Sequence, residues 1–308
     1  MGMSSIKKIV VVVDGDDHQS VLLKSEWLAK QTGAKLNLVK VVYDRFVGVK
    51  RVLGNENVEK IRNQLIAAQE AALSELVTGL KHRGIEAEKQ VLWHPNPAEA
   101  ICKCAKYGDV DLIVKAVRPH HRWGHLLTSV TEWNLIRHSA VPVLFVKDAH
   151  HYDARPVIVA LDIGSEDEVH QELNRQLIHE AAQWQKLTGA PIHVVAAYPL
   201  PSMDVPAEFS VVNYEALREE IEQGYRQGVM SLLDKHPLEY AQIWVREGVV
   251  EDVLADVANQ IQASLVLVGT VARTGVSAVV MGNTAERVID AIDCDVMVLR
   301  HGALVELA

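Results

Sequence analysis

Cysteine is scarce in this chain: Cys102, Cys104 and Cys294 are the only three in 308 residues. That excludes a disulfide framework, and none of the spacings is that of a metal or redox pair. Cys102 and Cys104 stand two apart on an expected helix, hence on different faces. Cys294, just before an apolar run, reads as a small core residue. Aromatic residues make up 5% of the chain, so aliphatic side chains must build the core of a sequence that is 49% apolar. Positive charge is also short. With 31 Lys and Arg against 40 Asp and Glu, the net charge is −9, which argues against nucleic acid or a phospholipid surface as partner. No apolar run approaches the roughly 20 residues of a membrane span. The opening MGMSSIKKIVVVVDGDD turns acidic too soon for a signal peptide and reads as a first strand. Ile6 stands where N-myristoylation wants Ser or Thr. The expected compartment is the cytoplasm. No G-x-S-x-G or comparable nucleophile signature occurs, so the expectation is a protein without enzyme activity and without catalytic residues.

What the chain does have is a repeat. KIVVVVDGDD (Lys8–Asp17) returns as PVIVALDIGSED (Pro156–Asp167), with Asp14 and Asp162 each closing a buried strand. WLAKQTGAKLNLVKVVYD (Trp27–Asp44) returns as WQKLTGAPIHVVAAYP (Trp184–Pro199). Shifted back by about 154 residues, LVLVGTVART falls on LIVKAVRPHH (Leu112–His121) and TAERVID on VTEWNLI (Val130–Ile136). A repeat of this length means two tandem domains, here placed at residues 1–148 and 155–308, with the aperiodic Lys147–Pro156 as linker.

Each half reads β-α-β-α-β-α-β-α-β. In the first, the spacing predicts strands at Ile9–Val13, Leu36–Val42, Glu88–Leu92, Leu112–Val117 and Val141–Val146. Helices are predicted over Ser20–Thr32, Asn57–His82, Pro97–Tyr107 and Ser129–Arg137. In the longest of them Ile61, Leu65, Ala68, Ala72, Leu76 and Leu80 are spaced as one apolar face. This alternation predicts an α/β protein of two tandem, doubly wound, five-stranded parallel sheets, each with its cleft at the carboxyl ends of the strands.

One stretch points to an anion. In LVLVGTVARTGVSAVVMGNTAERVIDAIDCDVMVLR (Leu265–Arg300) a strand ends in Gly269, a Gly- and Thr-rich loop follows, and Gly282-Asn283-Thr284 opens a helix. Loop amides and a helix N-terminus build positive potential, and glycine lets backbone approach a phosphate. The spacing is neither a Walker loop nor a dinucleotide fingerprint. It resembles the G-x2-G-x9-G-Ser/Thr signature of the universal stress protein A family, and the repeats extend that resemblance over nearly the whole chain.

The resemblance implies the adenine nucleotide alpha hydrolase-like fold. It also implies a non-catalytic binding and interaction module that supports survival under starvation or DNA damage. ATP or another adenine nucleotide is the implied ligand, no cofactor being certain. The site carried over comprises Asp162, Gly269, Thr270, Ala272, Arg273, Gly282, Asn283 and Thr284. Ala272 and Asn283 depart from the family's glycine and hydroxyl. In the first half a uniform shift of 154 sets Lys115, Arg118, Thr128 and Ser129 opposite Gly269, Ala272, Gly282 and Asn283. With every glycine gone, that half is expected to bind no nucleotide. Alternatives are an ATP-dependent switch or slow ATPase using the second half, and a carrier of a small lipophilic ligand. Implied partners are other proteins, with the two halves acting as an intrachain pseudo-dimer and a homodimer as the alternative.

His120, His121, His125, His150 and His151 invite a metal reading, but they fall in Pro- and Gly-broken polar segments without a carboxylate ligand, and no metal is expected. Tyr198–Tyr214 is a long, proline-rich apolar loop, a candidate for a greasy cavity or for packing between domains.

Overall fold

The computed structural model describes residues 6–15, 18–44, 55–117, 130–147, 152, 154–199, 214–271 and 284–301. The chain divides into two units, the second spanning Tyr152–His301.

In the first unit the order is β1 (Lys8–Val12), α1 (Gln19–Thr32), β2 (Lys35–Val42), α2 (Asn55–His82), β3 (Ala87–Trp93), α3 (Pro97–Tyr107), β4 (Leu112–Ala116), α4 (Val130–His138) and β5 (Val143–Val146). The strands lie in the order β3-β2-β1-β4-β5, and every pair is parallel. The second unit repeats this with β6 (Val157–Ala160), α5 (Glu168–Thr188), β7 (Ile192–Tyr198), α6 (Tyr214–Lys235), β8 (Gln242–Glu247), α7 (Val250–Ile261), β9 (Leu265–Thr270), α8 (Thr284–Ala291) and β10 (Asp295–Arg300). Its order is β8-β7-β6-β9-β10, again parallel. Strand order reverses between β1 and β4, and between β6 and β9. At such a switch point the loops part and leave a crevice at the carboxyl ends.

Local chemistry sets the ends of the elements. Gly33 and Gly189 close α1 and α5 at φ +74° and +69°, their N–H groups donating to Ala29 and Gln185 carbonyls at 2.8 Å. Asn96 caps α3, accepting from the Glu99 N–H, with Pro97 in the first turn. The central strands are buried along nearly their whole length: Ile9–Val12 and Leu112–Val114 are at most 1% exposed. Helices on both faces of the sheet account for that.

Two expectations need correction. The buried face of α2 runs through Val58, Leu73, Val77 and Leu80, while Ile61 is 37% exposed and Ala68 and Ala72 are exposed. At about 100° per residue, the 19 positions from Ile61 to Leu80 leave Ile61 about 100° round the helix from Leu80. The second concerns the linker. Tyr152, inside the polar segment, is 3% exposed. Its ring meets Trp184 edge-on at 4.8 Å, and its hydroxyl donates to the buried Asp295 carboxylate. It belongs to the core of the second unit. Residues 200–213 of the apolar loop, and His120, His121, His125, His150 and His151, lie outside the described residues.

Candidate functional site

In the first unit the crevice is occupied by the protein's own charges. Lys115, near the end of β4, is 5% exposed. Its Nζ lies 2.7 Å from Glu132 Oε1 on α4 and 3.1 Å from Asp14 Oδ2 after β1, and it donates to the Ala116 carbonyl at 3.1 Å. Glu132 is 4% exposed and sits in the first turn of α4, where the helix dipole favours a carboxylate. Asp14, the residue aligned with Asp162, is thereby held by an internal cation. Arg118, Thr128 and Ser129 lie outside the described residues.

The strand ladders select the 153-residue overlay of LVLVGTVART on LIVKAVRPHH over the uniform shift of 154 that sets Lys115 opposite Gly269. Ile9 and Val157 each stand five positions before their strand-closing aspartate, and they pair with Leu112 and Leu265 respectively. Lys115 therefore corresponds to Val268, and Gly269 to Ala116. A slip of one exchanges the two faces of a strand. The lysine accordingly reaches α4, whereas the open side of Gly269 faces α5. A Cβ built on Gly269 would lie 2.4 Å from Leu173 Cδ2. Helix packing alone is thus sufficient to require glycine at Gly269.

Among the described residues no lysine pairs with Asp162. Its carboxylate turns back on its own loop, accepting from the Gly164 N–H at 3.1 Å and the Ser165 hydroxyl at 2.8 Å. Its peptide is bracketed by Asn174, which accepts from the Asp162 N–H at 3.0 Å and donates to its carbonyl at 2.7 Å. His170 Nε2 lies 3.7 Å from Asp162 Oδ2, while its Nδ1 is 2.6 Å from Asp167, the N-cap of α5. Those contacts, first from the His170 backbone N–H and then from its ring, hold the Asp167 carboxyl below its ordinary value. Tyr225 of α6 borders the same loop. Burial pushes its phenol up, as does the Asp162 charge.

Of the expected site, the structure brings Asp162, Gly269 and Thr270 together at the ends of the adjacent strands β6 and β9. Thr284 opens α8, exposed. Ala272, Arg273, Gly282 and Asn283 lie outside the described residues. Sequence reasoning missed His170, Leu173 and Asn174, which share a face of α5 at i, i+3, i+4 spacing. An asparagine on the stripe formed by Leu173 and Leu177 was the available clue. Among the described residues no group of three His, Cys, Asp or Glu side chains could hold a metal, and no helix is long and apolar enough to cross a membrane.

Comparison with known proteins matches the model of the universal stress protein family to residues 5–147 and again to 154–300. The chain is 29% identical to universal stress protein E of Escherichia coli K12 over 300 residues, 97% of this chain and 95% of that protein. It is 28% identical to a universal stress protein E homolog of Haemophilus influenzae over 297 residues, covering 94% and 96%. Among solved structures, a functionally unknown protein of Pseudomonas aeruginosa PAO1 is 25% identical, with a TM-score of 0.75 over 99% of this chain and 96% of that one. A universal stress protein of Archaeoglobus fulgidus shares the fold at 16% identity, with a TM-score of 0.68 over 97% of this chain and all of that one.

Proposed function

Since the chain belongs to the universal stress protein family, and carries its domain twice, we propose that it is a non-catalytic binding and interaction module supporting survival under stresses such as starvation and DNA damage. In this reading the second unit alone keeps a crevice for an adenine nucleotide, and the first serves as a structural partner.

The observation that carries the asymmetry is Lys115. A buried lysine bonded to Asp14 and Glu132 sits where strand order reverses, so a nucleotide entering there would have to displace an ion pair already satisfied. In the second unit Val268 holds that position, and among the described residues the Asp162 carboxylate is engaged by its own loop and by His170 at the start of α5. A helix N-terminus at Thr284 and the ends of β6 and β9 then supply amides for phosphate. Isothermal titration of the full chain with ATP and with AMP tests this. One site per chain is expected, lost in Gly282→Val because a β-branched side chain blocks the backbone approach. Two equivalent sites, or binding unaffected by Gly282→Val, would overturn it.

A second reading is an ATP-dependent switch or slow ATPase in the second unit. His170, between Asp162 and Asp167, is the group on which it rests. Phosphate release by the full chain with ATP separates the two readings.

A further inference from the structure

The two units differ at a second place, on the sheet face beneath α3 and α7. In the second unit this place is plugged. His193 of β7 accepts from the Trp244 indole N–H at 2.9 Å, the rings stacked 6.1 Å apart at 30°, and α7, the helix packed against β7, buries Val253 and Val257.

The ladders identify the corresponding residues of the first unit. Asn37 pairs with Val10 as His193 pairs with Ile158, and Gln90 pairs with Val39 as Trp244 pairs with Val195. The buried pattern Ala100, Ile101, Ala105 matches Val253, Leu254, Ala258, which sets Cys104 against Val257. Tryptophan and two valines are thus replaced by Gln90, Ala100 and Cys104. Beside these smaller side chains lies an open-sided pocket of about 600 Å³, lined by the three of them, Asn37 and Tyr107, with Lys8, Glu88 and Lys103 also in its wall. It lies wholly within the first unit. It is also separate from the nucleotide crevice: Asp14 stands four residues beyond Val10, about 13 Å along the strand.

The polar group that the plug satisfies in the second unit is unsatisfied in the first. Asn37 is 4% exposed, and its Oδ1 is buried without a hydrogen-bond partner. Its Nδ2 makes only long contacts, 3.4 Å to Gln90 Oε1 and 3.8 Å to Cys104 Sγ. A buried carbonyl without a donor calls for one, and Gln90 beside it is an exposed residue of β3. Tyr107, 80% exposed, stands at the rim as a stacking surface.

We propose that this cavity binds a small, flat heteroaromatic molecule with a ring N–H, of the indole class, which takes the place that Trp244 holds in the other unit and donates to Asn37 Oδ1. Burial, with the Glu88 charge, pushes the Cys104 thiol up, so Cys104 acts there as a neutral wall.

The probe is indole, titrated into the full chain by calorimetry beside naphthalene, which has no ring heteroatom, and benzofuran, whose ring oxygen cannot donate. Indole is expected to saturate one site per chain, with both analogues about five- to tenfold weaker for want of one hydrogen bond. Gln90→Trp should abolish indole binding by building the plug in. Cys104→Val, which removes only space, should weaken it at least tenfold and guards against a folding failure in the larger change. No heat with indole at millimolar concentration, naphthalene binding as tightly as indole, or binding kept by both filled variants would overturn the proposal.

Discussion

Lys115 carries the difference between the two crevices. Removing its charge leaves Glu132 buried without its nearest cation, and truncation of one partner of a buried pair costs about 3–5 kcal/mol. Lys115→Ala should therefore lower the urea midpoint of the transition belonging to the first unit, and Lys115→Met, which keeps most of the volume, should do nearly the same. An unchanged midpoint in both would mean that the pair is dispensable. Gly269 makes the complementary case. Because its missing Cβ is where Leu173 packs, Gly269→Ala is expected to cost about 1–3 kcal/mol through overpacking. Leu173→Ala alone should cost about 2–5 kcal/mol. The double variant should be less unstable than the sum, since each change makes room for the other. Strict additivity would show that the two residues do not meet.

At the scale of elements, the strand pair β7–β8 carries a pH dependence. Burial lowers the His193 pKa from 6.5, and His179 is shifted the same way, burial again being the largest cause. The unfolded chain therefore binds more protons than the folded one just below pH 6.5, and stability falls as pH drops below that value and is fully present above it. His193→Asn, which installs the first unit's residue, should flatten part of that slope. A melting curve whose slope between about pH 5 and 7 is the same in the variant would remove His193 as a cause. Helix α2 offers a second check. Ile61→Lys should change stability by less than about 0.5 kcal/mol, as an exposed position does. Leu73→Ala, at 2% exposure, should cost about 2–5 kcal/mol.

For the whole molecule the test is the count of ligands and the repair of the loop. If the nucleotide reading holds, Ala272→Gly and Asn283→Ser restore the family's glycine and hydroxyl. Together they should strengthen ATP binding about tenfold or more, the first by letting the amides close on phosphate and the second by one hydrogen bond. Calorimetry showing no gain in the double variant, with its fold intact by circular dichroism, would assign the crevice another ligand or none.

The element order, the parallel sheets and the two-domain plan were written in the sequence. β-branched runs such as Ile9–Val13 and glycine stops such as Gly33 and Gly189 act over a few residues, and a repeat needs no third dimension to be seen. Asp162, Gly269 and Thr284 were legible for the same reason, as punctuation at the ends of elements. Side-chain direction was not. The repeat overlays at a shift of 153 along β4 and β9 and of 154 along the helix that follows, and the choice along the strands decides whether position 115 faces α4 or α1. The hydrogen-bond ladder decides between the two. The stripe on α2 failed similarly, because spacings of three and four look periodic by eye while the helix turns by about 100° per residue. The pairing of Trp244 with His193, and its absence at Gln90 and Asn37, joins residues about 50 apart in sequence. Adjacency of that kind exists only once the strands lie side by side.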